Sequence, residues 1–315
     1  MSNPNPFTKP IATTATKLEQ IDGFSNKAYH QWRQSEWDAL AYAIAAQRPL
    51  LVRGEAGCGK SQLARAAASH LETRLFKETV HPRLEPMDLL YSIDQIKRLA
   101  DAHSGIVKDE DSYLKEGCLT LAFRYSNNEH RPVVLIDEID KADADIPNTL
   151  LDVLANRNIK LPGSSAPLEV NDRNKFPLVI ITTNEDRELP AAFVRRCAVL
   201  SLDPPKIETD FIAWLIKRAK AHESLVQAID PTVFITAARQ VTADRTEAKK
   251  FSLGSVGLAE YLDLLFAIVE ITASATSKQK TAEQLKWLDK LSRYALVKGR
   301  DQDQTRSPNA YKDSI

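Results

Sequence analysis

Gly54-Glu55-Ala56-Gly57-Cys58-Gly59-Lys60-Ser61 is the stretch whose reading decides the fold. An apolar run, Pro49-Leu50-Leu51-Val52, precedes it, and the helix-forming segment Gln62-Leu63-Ala64-Arg65-Ala66-Ala67-Ala68 follows. G-x-x-x-x-G-K-S between a strand and a helix is a phosphate-binding loop. Its glycines let backbone N–H groups curl around an anion with no Cβ in the way. The helix behind them points its positive end at the same anion. In such a loop Lys60 is expected to reach the β- and γ-phosphates of a nucleoside triphosphate, and the Ser61 hydroxyl to ligate Mg²⁺. The expected contact set is Gly54, Glu55, Ala56, Gly57, Cys58, Gly59, Lys60, Ser61 and Gln62.

Further along, Arg131-Pro132-Val133-Val134-Leu135-Ile136 runs into Asp137-Glu138-Ile139-Asp140. An unbroken apolar run with β-branched residues suits a strand buried on both faces of a parallel sheet. Carboxylates at its C-terminal end are costly unless something cationic lies opposite, and ligands of open α/β sheets bind at that end. Asp137 is expected in the Mg²⁺ shell, directly or through water. Glu138 is expected to orient the attacking water. A second such strand, Phe176 to Thr183, ends at Asn184, whose amide both donates and accepts; it is placed to sense the γ-phosphate or position the water. The segment Glu188 to Cys197 closes on Arg195-Arg196. Adjacent arginines gain a catalytic meaning only if a neighbouring subunit presents a phosphate to them.

At 315 residues, 43% hydrophobic and 27% charged, the chain can bury a sizeable core, and its length favours two domains. The 42 basic residues equal the 42 acidic ones, so no global electrostatic case exists for nucleic acid or an anionic membrane. Cys58, Cys118 and Cys197 are odd in number and form no C-x-x-C pair, against a disulfide framework or zinc site. A reducing cytoplasm fits. Met1 to Pro6 lacks a basic segment followed by an apolar core, so no secretory leader is expected. The apolar stretch Leu262 to Val269 contains Asp263 and is too short to span a bilayer.

Residues 1–17 read as a loose Asn-, Pro- and Thr-rich arm, and 18–204 as the nucleotide-binding core. Trp32 and Trp37 flank a helical stretch, Ser35 to Gln47, and are expected in the core. Leu75 to Val80 reads as a strand, Met87 to Ala102 as a helix, and Ser104 to Glu116 as a polar surface excursion. Asn158-Ile159-Lys160-Leu161 and Pro167-Leu168-Glu169-Val170 flank Pro162-Gly163-Ser164-Ser165 as a hairpin. Pro204-Pro205 marks a boundary. Beyond it, 205–298 is helical throughout, with Phe211, Trp214, Leu215 and Arg218, then Leu258, Tyr261, Leu262 and Leu265, then Leu285, Leu288, Leu291 and Ala295 at helical spacing. A polar tail, 299–315, ends the sequence.

The order of glycine loop, Asp-Glu strand, Asn strand, Leu-Pro-x-x-Phe-x-Arg-Arg and helical lid resembles the AAA+ ATPases across roughly residues 30–300. Within them it is most similar to the MoxR branch and the dynein-related group around it. Asp88-Leu89-Leu90-Tyr91, Tyr113 to Leu119, Leu135 to Asp143, Thr183-Asn184-Glu185 and the Leu189-Pro190 arginine segment carry that likeness. The resemblance implies an α/β fold: a three-layer αβα P-loop core with a five-stranded parallel sheet, and an all-helical lid. It implies ATP and Mg²⁺ bound between subunits of a ring, usually a hexamer, and hydrolysis coupled to remodelling or activating a protein client. A von Willebrand factor A domain protein is the client type such ATPases often serve. Under the resemblance Asn184 matches sensor 1 and Arg196 the arginine finger, with Arg195 the second choice. The Arg-Cys-Ala-Val-Leu run also resembles the equivalent segment of clamp loaders. One departure is visible: Ser255-Val256-Gly257-Leu258-Ala259-Glu260 holds no arginine where many such lids carry sensor 2. Two other readings stay open: a nucleic-acid motor or loader, which the even charge counts against, and a nucleotide-gated assembly switch, which the Asp137-Glu138 pair counts against.

Overall fold

The computed structural model describes residues 5–11, 15–18, 29–106, 108–128, 130–143, 145–250, 256–274 and 279–296. In chain order, a short ribbon of β1 (Ala15–Lys17) and β2 (Tyr29–Gln31) leads to α1 (Gln34–Ala46), β3 (Leu50–Arg53), α2 (Lys60–His70) and β4 (Leu75–Thr79). An excursion follows, made of β5 (Tyr91–Ile93), α3 (Gln95–His103) and β6 (Leu114–Glu116). Then come α4 (Cys118–Asn128), β7 (Val133–Asp137), α5 (Asp145–Asn156) and the hairpin of β8 (Asn158–Ile159) and β9 (Leu168–Glu169). After these, β10 (Leu178–Thr183), α6 (Ala191–Val194) and β11 (Ala198–Ser201) complete the first unit.

Five of these strands form one parallel sheet in the order β11-β3-β10-β7-β4. Side-chain patterning explains the order. The inner strands β3, β7 and β10 are apolar and buried on both faces. At the edges, β4 exposes Lys77 and β11 exposes Val199 and Ser201, so each edge strand alternates. Successive side chains of a strand point to opposite faces, which builds two cores. Val134, Ile136, Val179 and Ile181 pack with Leu119, Phe123 and Leu150 on one side. Val133, Leu135, Leu178 and Ile180 pack with Leu40, Leu63 and Ala67 on the other. The alanines of α2 let that helix lie close against the sheet.

The chain divides into two compact units, Met1–Asp203 and Pro204–Ile315. In the second unit, α7 (Glu208–Lys220), α8 (Glu223–Ala228), α9 (Pro231–Lys250), α10 (Leu258–Ile271) and α11 (Lys280–Ala295) surround Phe211, Leu215, Phe234, Tyr261, Leu265 and Leu288. Among the described residues no helix is long and apolar enough to cross a membrane.

Several expectations are corrected. The described part of the 1–17 arm is docked, because Phe7 inserts into an aromatic cluster. Its ring lies 4.8 Å from Trp37, 5.0 Å from His70 and 6.1 Å from Trp32, and only 2% of it is exposed. Trp32 and Trp37 are core residues as expected, and their indole N–H groups donate to the Thr16 hydroxyl and the Lys9 carbonyl. The helix expected over 87–102 begins only at Gln95. Tyr91–Ile93 instead pairs antiparallel with Leu114–Glu116, inside the stretch read as a polar excursion. Gly117 seals that hairpin's exit: a Cβ there would lie 2.3 Å from the Asp88 carbonyl oxygen. In α11, Leu285 is exposed while Gln284 is buried, because the Gln284 amide donates to the Ala228 carbonyl and accepts from the Asp230 N–H. The 299–315 tail lies outside the described residues.

Candidate nucleotide-binding site

The loop 54–59 sits at the C-terminal end of β3 and feeds directly into α2. Gly54 has φ +147°, and a Cβ on it would lie 3.1 Å from both the Leu202 carbonyl oxygen and Cys58 Sγ. Gly57 and Gly59 also have positive φ, and Gly59 caps α2. A side chain at Gly54 would therefore push the loop off the end of β11. Burial pushes the Cys58 thiol up, and Cys118 and Cys197 up to about 12, so none of the three is a poised nucleophile.

Lys60 is buried and donates to three oxygens: Gly54 O at 2.7 Å, Glu55 O at 2.8 Å and Asn184 Oδ1 at 2.7 Å. These use every hydrogen of its ammonium. Asn184 follows the end of β10, the strand beside β3, and this bond joins it to the loop. Ser61 Oγ donates to Asp137 Oδ1 at 2.7 Å, and Thr182 Oγ1 donates to the same oxygen at 2.6 Å. The Lys77 ammonium, from β4, lies 3.4 Å from Asp137 Oδ2. Three strands and one helix thus converge on a single carboxylate.

Glu138 turns away from the strand in left-handed backbone, φ +61°, and its N–H donates to Thr182 Oγ1 at 2.9 Å. That conformation is uncommon for a residue with a side chain, and the Thr182 bond helps hold it. The Glu138 carboxylate accepts from Lys141 Nζ at 2.6 Å, an interaction that also raises the Lys141 pKa. Asp140 is buried, and its Oδ2 accepts from the N–H groups of Asn184 at 3.2 Å and Asp186 at 3.0 Å.

Lys60, Ser61, Asp137, Glu138 and Asn184 are thus brought together. Glu55 and Gln62 flank the loop half-buried, and Ala56 and Gly57 are exposed on it. Arg195 and Arg196 are not part of this cluster. They precede β11, whose Ala198 pairs with Leu50 at the start of β3, while the glycine loop follows the other end of that strand. The separation along the strand is roughly 13 Å. Both arginines are exposed, and Arg48 Nη1 donates to the Arg195 carbonyl at 3.2 Å. The second unit holds the region expected to carry sensor 2; Ser255 lies outside the described residues, and Gly257 caps α10.

Thr182, Asp140, Lys77 and Lys141 carry site contacts that motif reading passes over. A hydroxyl inside the apolar run of β10 and a third acid after Asp137-Glu138 were the available signals. The pairing of Lys77 with Asp137 depends on strand order, which no local pattern encodes.

A five-stranded parallel sheet with this loop at its C-terminal edge, flanking helices and a helical C-terminal unit defines a P-loop nucleotide-binding fold of the AAA+ type. Residues 49–197 match the family model described as AAA domain (dynein-related subfamily). Two uncharacterized proteins of Methanocaldococcus jannaschii are similar: one is 31% identical over 143 residues and the other 30% over 142. The matches cover 45% and 44% of this chain and 33% of each relative, so the chain spans about a third of their length. Among solved structures, the Thermotoga maritima RuvB Holliday junction branch migration motor is 17% identical, with 82% of this chain and 68% of that chain covered and a TM-score of 0.47.

Proposed function

We propose that this chain is an ATP hydrolase of the MoxR type that works as a ring, a hexamer being the expected form, and remodels or activates a protein client. The observation that carries the reading is the convergence of Lys60, Ser61, Asp137, Glu138 and Asn184 at one end of the sheet. The residues fit a magnesium nucleotide. The loop's glycines take backbone with positive φ, which leaves its N–H groups free of neighbouring side chains, and Ser61 and Asp137 offer hard oxygen donors. Ser61 and Asp137 would hold Mg²⁺, which when bound neutralises phosphate charge. Lys60 would exchange its Asn184 and loop oxygens for the β- and γ-phosphates. Glu138 would accept a hydrogen bond from the water whose oxygen attacks the γ-phosphorus as the bond to the β–γ bridging oxygen breaks. ADP and phosphate leave, and the proton of the water passes to Glu138 or to the phosphate. Little covalent work falls to the protein, so positioning and charge neutralisation carry the rate.

Arg196, remote from its own chain's loop, would serve the site of a neighbouring copy. An arginine supplied across an interface contributes about 10³–10⁵ in rate. A von Willebrand factor A domain protein is the client proposed, and the cytoplasm the proposed location. The test is direct. Purified wild type should bind a fluorescent ATP analogue and release phosphate. Glu138→Gln should bind and stall. Arg196→Ala should bind with near-normal affinity and turn over at least a hundredfold more slowly. Failure of the wild type to retain ATP at millimolar magnesium would end the reading. Turnover that depends on added DNA and falls steeply with salt would replace the protein client with nucleic acid.

A further inference from the structure

We propose that Asp140 is a positioning residue that sets Asn184 at a defined distance from Glu138; the inference rests on the hydrolytic reading above. Asp140 lies two residues beyond Glu138, in the 3-10 turn Ile139–Lys141, with only 2% of its surface exposed. Its Oδ2 accepts from two main-chain N–H groups, those of Asn184 and Asp186, at 3.2 and 3.0 Å. Between them Glu185 has left-handed backbone, φ +63°. This alternation turns the flanking N–H groups toward one point and makes a main-chain anion nest. Here the anion is a side chain of the same protein.

The nest is held from other directions as well. The Glu185 N–H donates to Thr183 Oγ1 at 2.9 Å, and the Glu185 carboxylate lies 3.5 Å from Arg53 at the end of β3. Asn184 leaves this turn with its side-chain oxygen 2.7 Å from Lys60 Nζ. Besides the Thr182–Asp137 bond, two ties join the ends of β7 and β10: Glu138 N–H to Thr182, and Asp140 to the nest. The first orients the backbone of Glu138. The second orients Asn184 from a residue that shares Glu138's turn. Hydrogen bonds to a carboxylate are stronger than neutral ones, and removing it strands two N–H groups.

The test is a double-variant cycle with Asp140→Ala, Asn184→Ala and the pair, reading kcat, KM, affinity for a fluorescent ATP analogue and melting temperature. Asp140→Ala is expected to lower kcat about ten- to a hundredfold with affinity held within about threefold. Asp140→Asn keeps an acceptor oxygen for both N–H groups and should recover most of the turnover. The pair should be no slower than the slower single variant within about twofold, because the two changes remove one function. Losses that multiply in the pair, or kcat, affinity and melting temperature falling together, would reduce Asp140 to a structural residue. Should Asp140→Ala not fold, Asp140→Ser, too short to serve both N–H groups, takes its place in the cycle. Asn184→Ala at wild-type turnover would remove Asn184 from the chemistry and the Asp140 proposal with it. An impaired Asn184→Ala with multiplying losses would overturn Asp140 alone.

Discussion

Replacing Thr182 with valine isolates the single hydroxyl that joins the two acidic residues of the site. Thr182 is fully buried, and its Oγ1 donates to Asp137 Oδ1 at 2.6 Å while accepting from Glu138 N–H at 2.9 Å. Valine preserves the shape and supplies neither function. The lost hydrogen bond to a charged group is worth about 1.5–3 kcal/mol, and stranding the half-buried Glu138 N–H costs up to about 3 kcal/mol. Asp137 retains Ser61 and Lys77, so its carboxylate is not left alone and the first contribution sits at the low end. The expected loss is about 2–4 kcal/mol, a large fraction of the roughly 5–15 kcal/mol that holds a domain folded. Tryptophan fluorescence would mix the two units, since Trp32 and Trp37 lie in one and Trp214 and Trp287 in the other. Hydrogen exchange of peptides from β7 and β10, read by mass spectrometry across a urea series, reports the first unit alone. Thr182→Ser keeps the hydroxyl and deletes one methyl, so it should cost only about 1 kcal/mol. Thr182→Val should also lower turnover more than nucleotide affinity, because the backbone of Glu138 loses its tie. Stability of Thr182→Val within about 0.5 kcal/mol of wild type, or a Thr182→Ser variant equally damaged, would refute the reasoning.

Three further outcomes are expected. Phe7→Ala should destabilise the aromatic cluster by up to about 3 kcal/mol and shift Trp32 and Trp37 emission to the red, the ceiling being the free energy of undocking the segment; unchanged emission would return residues 5–11 to the status of a loose arm. Burial holds the His70 pKa below its ordinary value, Glu72 opposing more weakly, so the unfolded ring takes up a proton near pH 6.5 that the folded one resists. Stability from His70 is therefore present above that pH and lost as pH falls toward the folded pKa; His70→Gln should flatten the decline between pH 7 and 5 in the hydrogen exchange of β7 and β10 peptides across a urea series, and an unaltered slope would assign the effect elsewhere. Lys141→Met removes a solvent-screened pair, so stability should barely move and turnover should rise by no more than about fivefold as Glu138 is freed; a hundredfold loss in a phosphate-release assay would instead place Lys141 in the chemistry.

Local chemistry already spelled out much of this molecule. Glycine spacing before Lys60-Ser61, the apolar runs into Asp137 and Asn184, and the helical periodicity after Pro205 each draw on forces acting within a few residues, so they were legible without coordinates. The errors came where a local preference met a distant partner. Phe7 sits in a segment of low hydrophobicity, yet Trp32, Trp37 and His70 arrive from elsewhere to enclose it. Tyr91–Ile93 lies inside a stretch with helical spacing, but a partner more than twenty residues on turns it into a strand.

The order of residues by itself determined that this protein has a phosphate-binding turn between a strand and a helix, two doubly buried strands ending in polar groups, and a helical second unit. Only the tertiary structure decided that β4 lies beside β7, so that Lys77 faces Asp137, that Thr182 bridges Asp137 and Glu138, and that Asp140 anchors the turn of Asn184. The physical reason is range. Backbone propensity and side-chain periodicity act along the chain, whereas strand order and the pairing of buried polar groups are settled when distant segments share one core and every buried donor must find an acceptor.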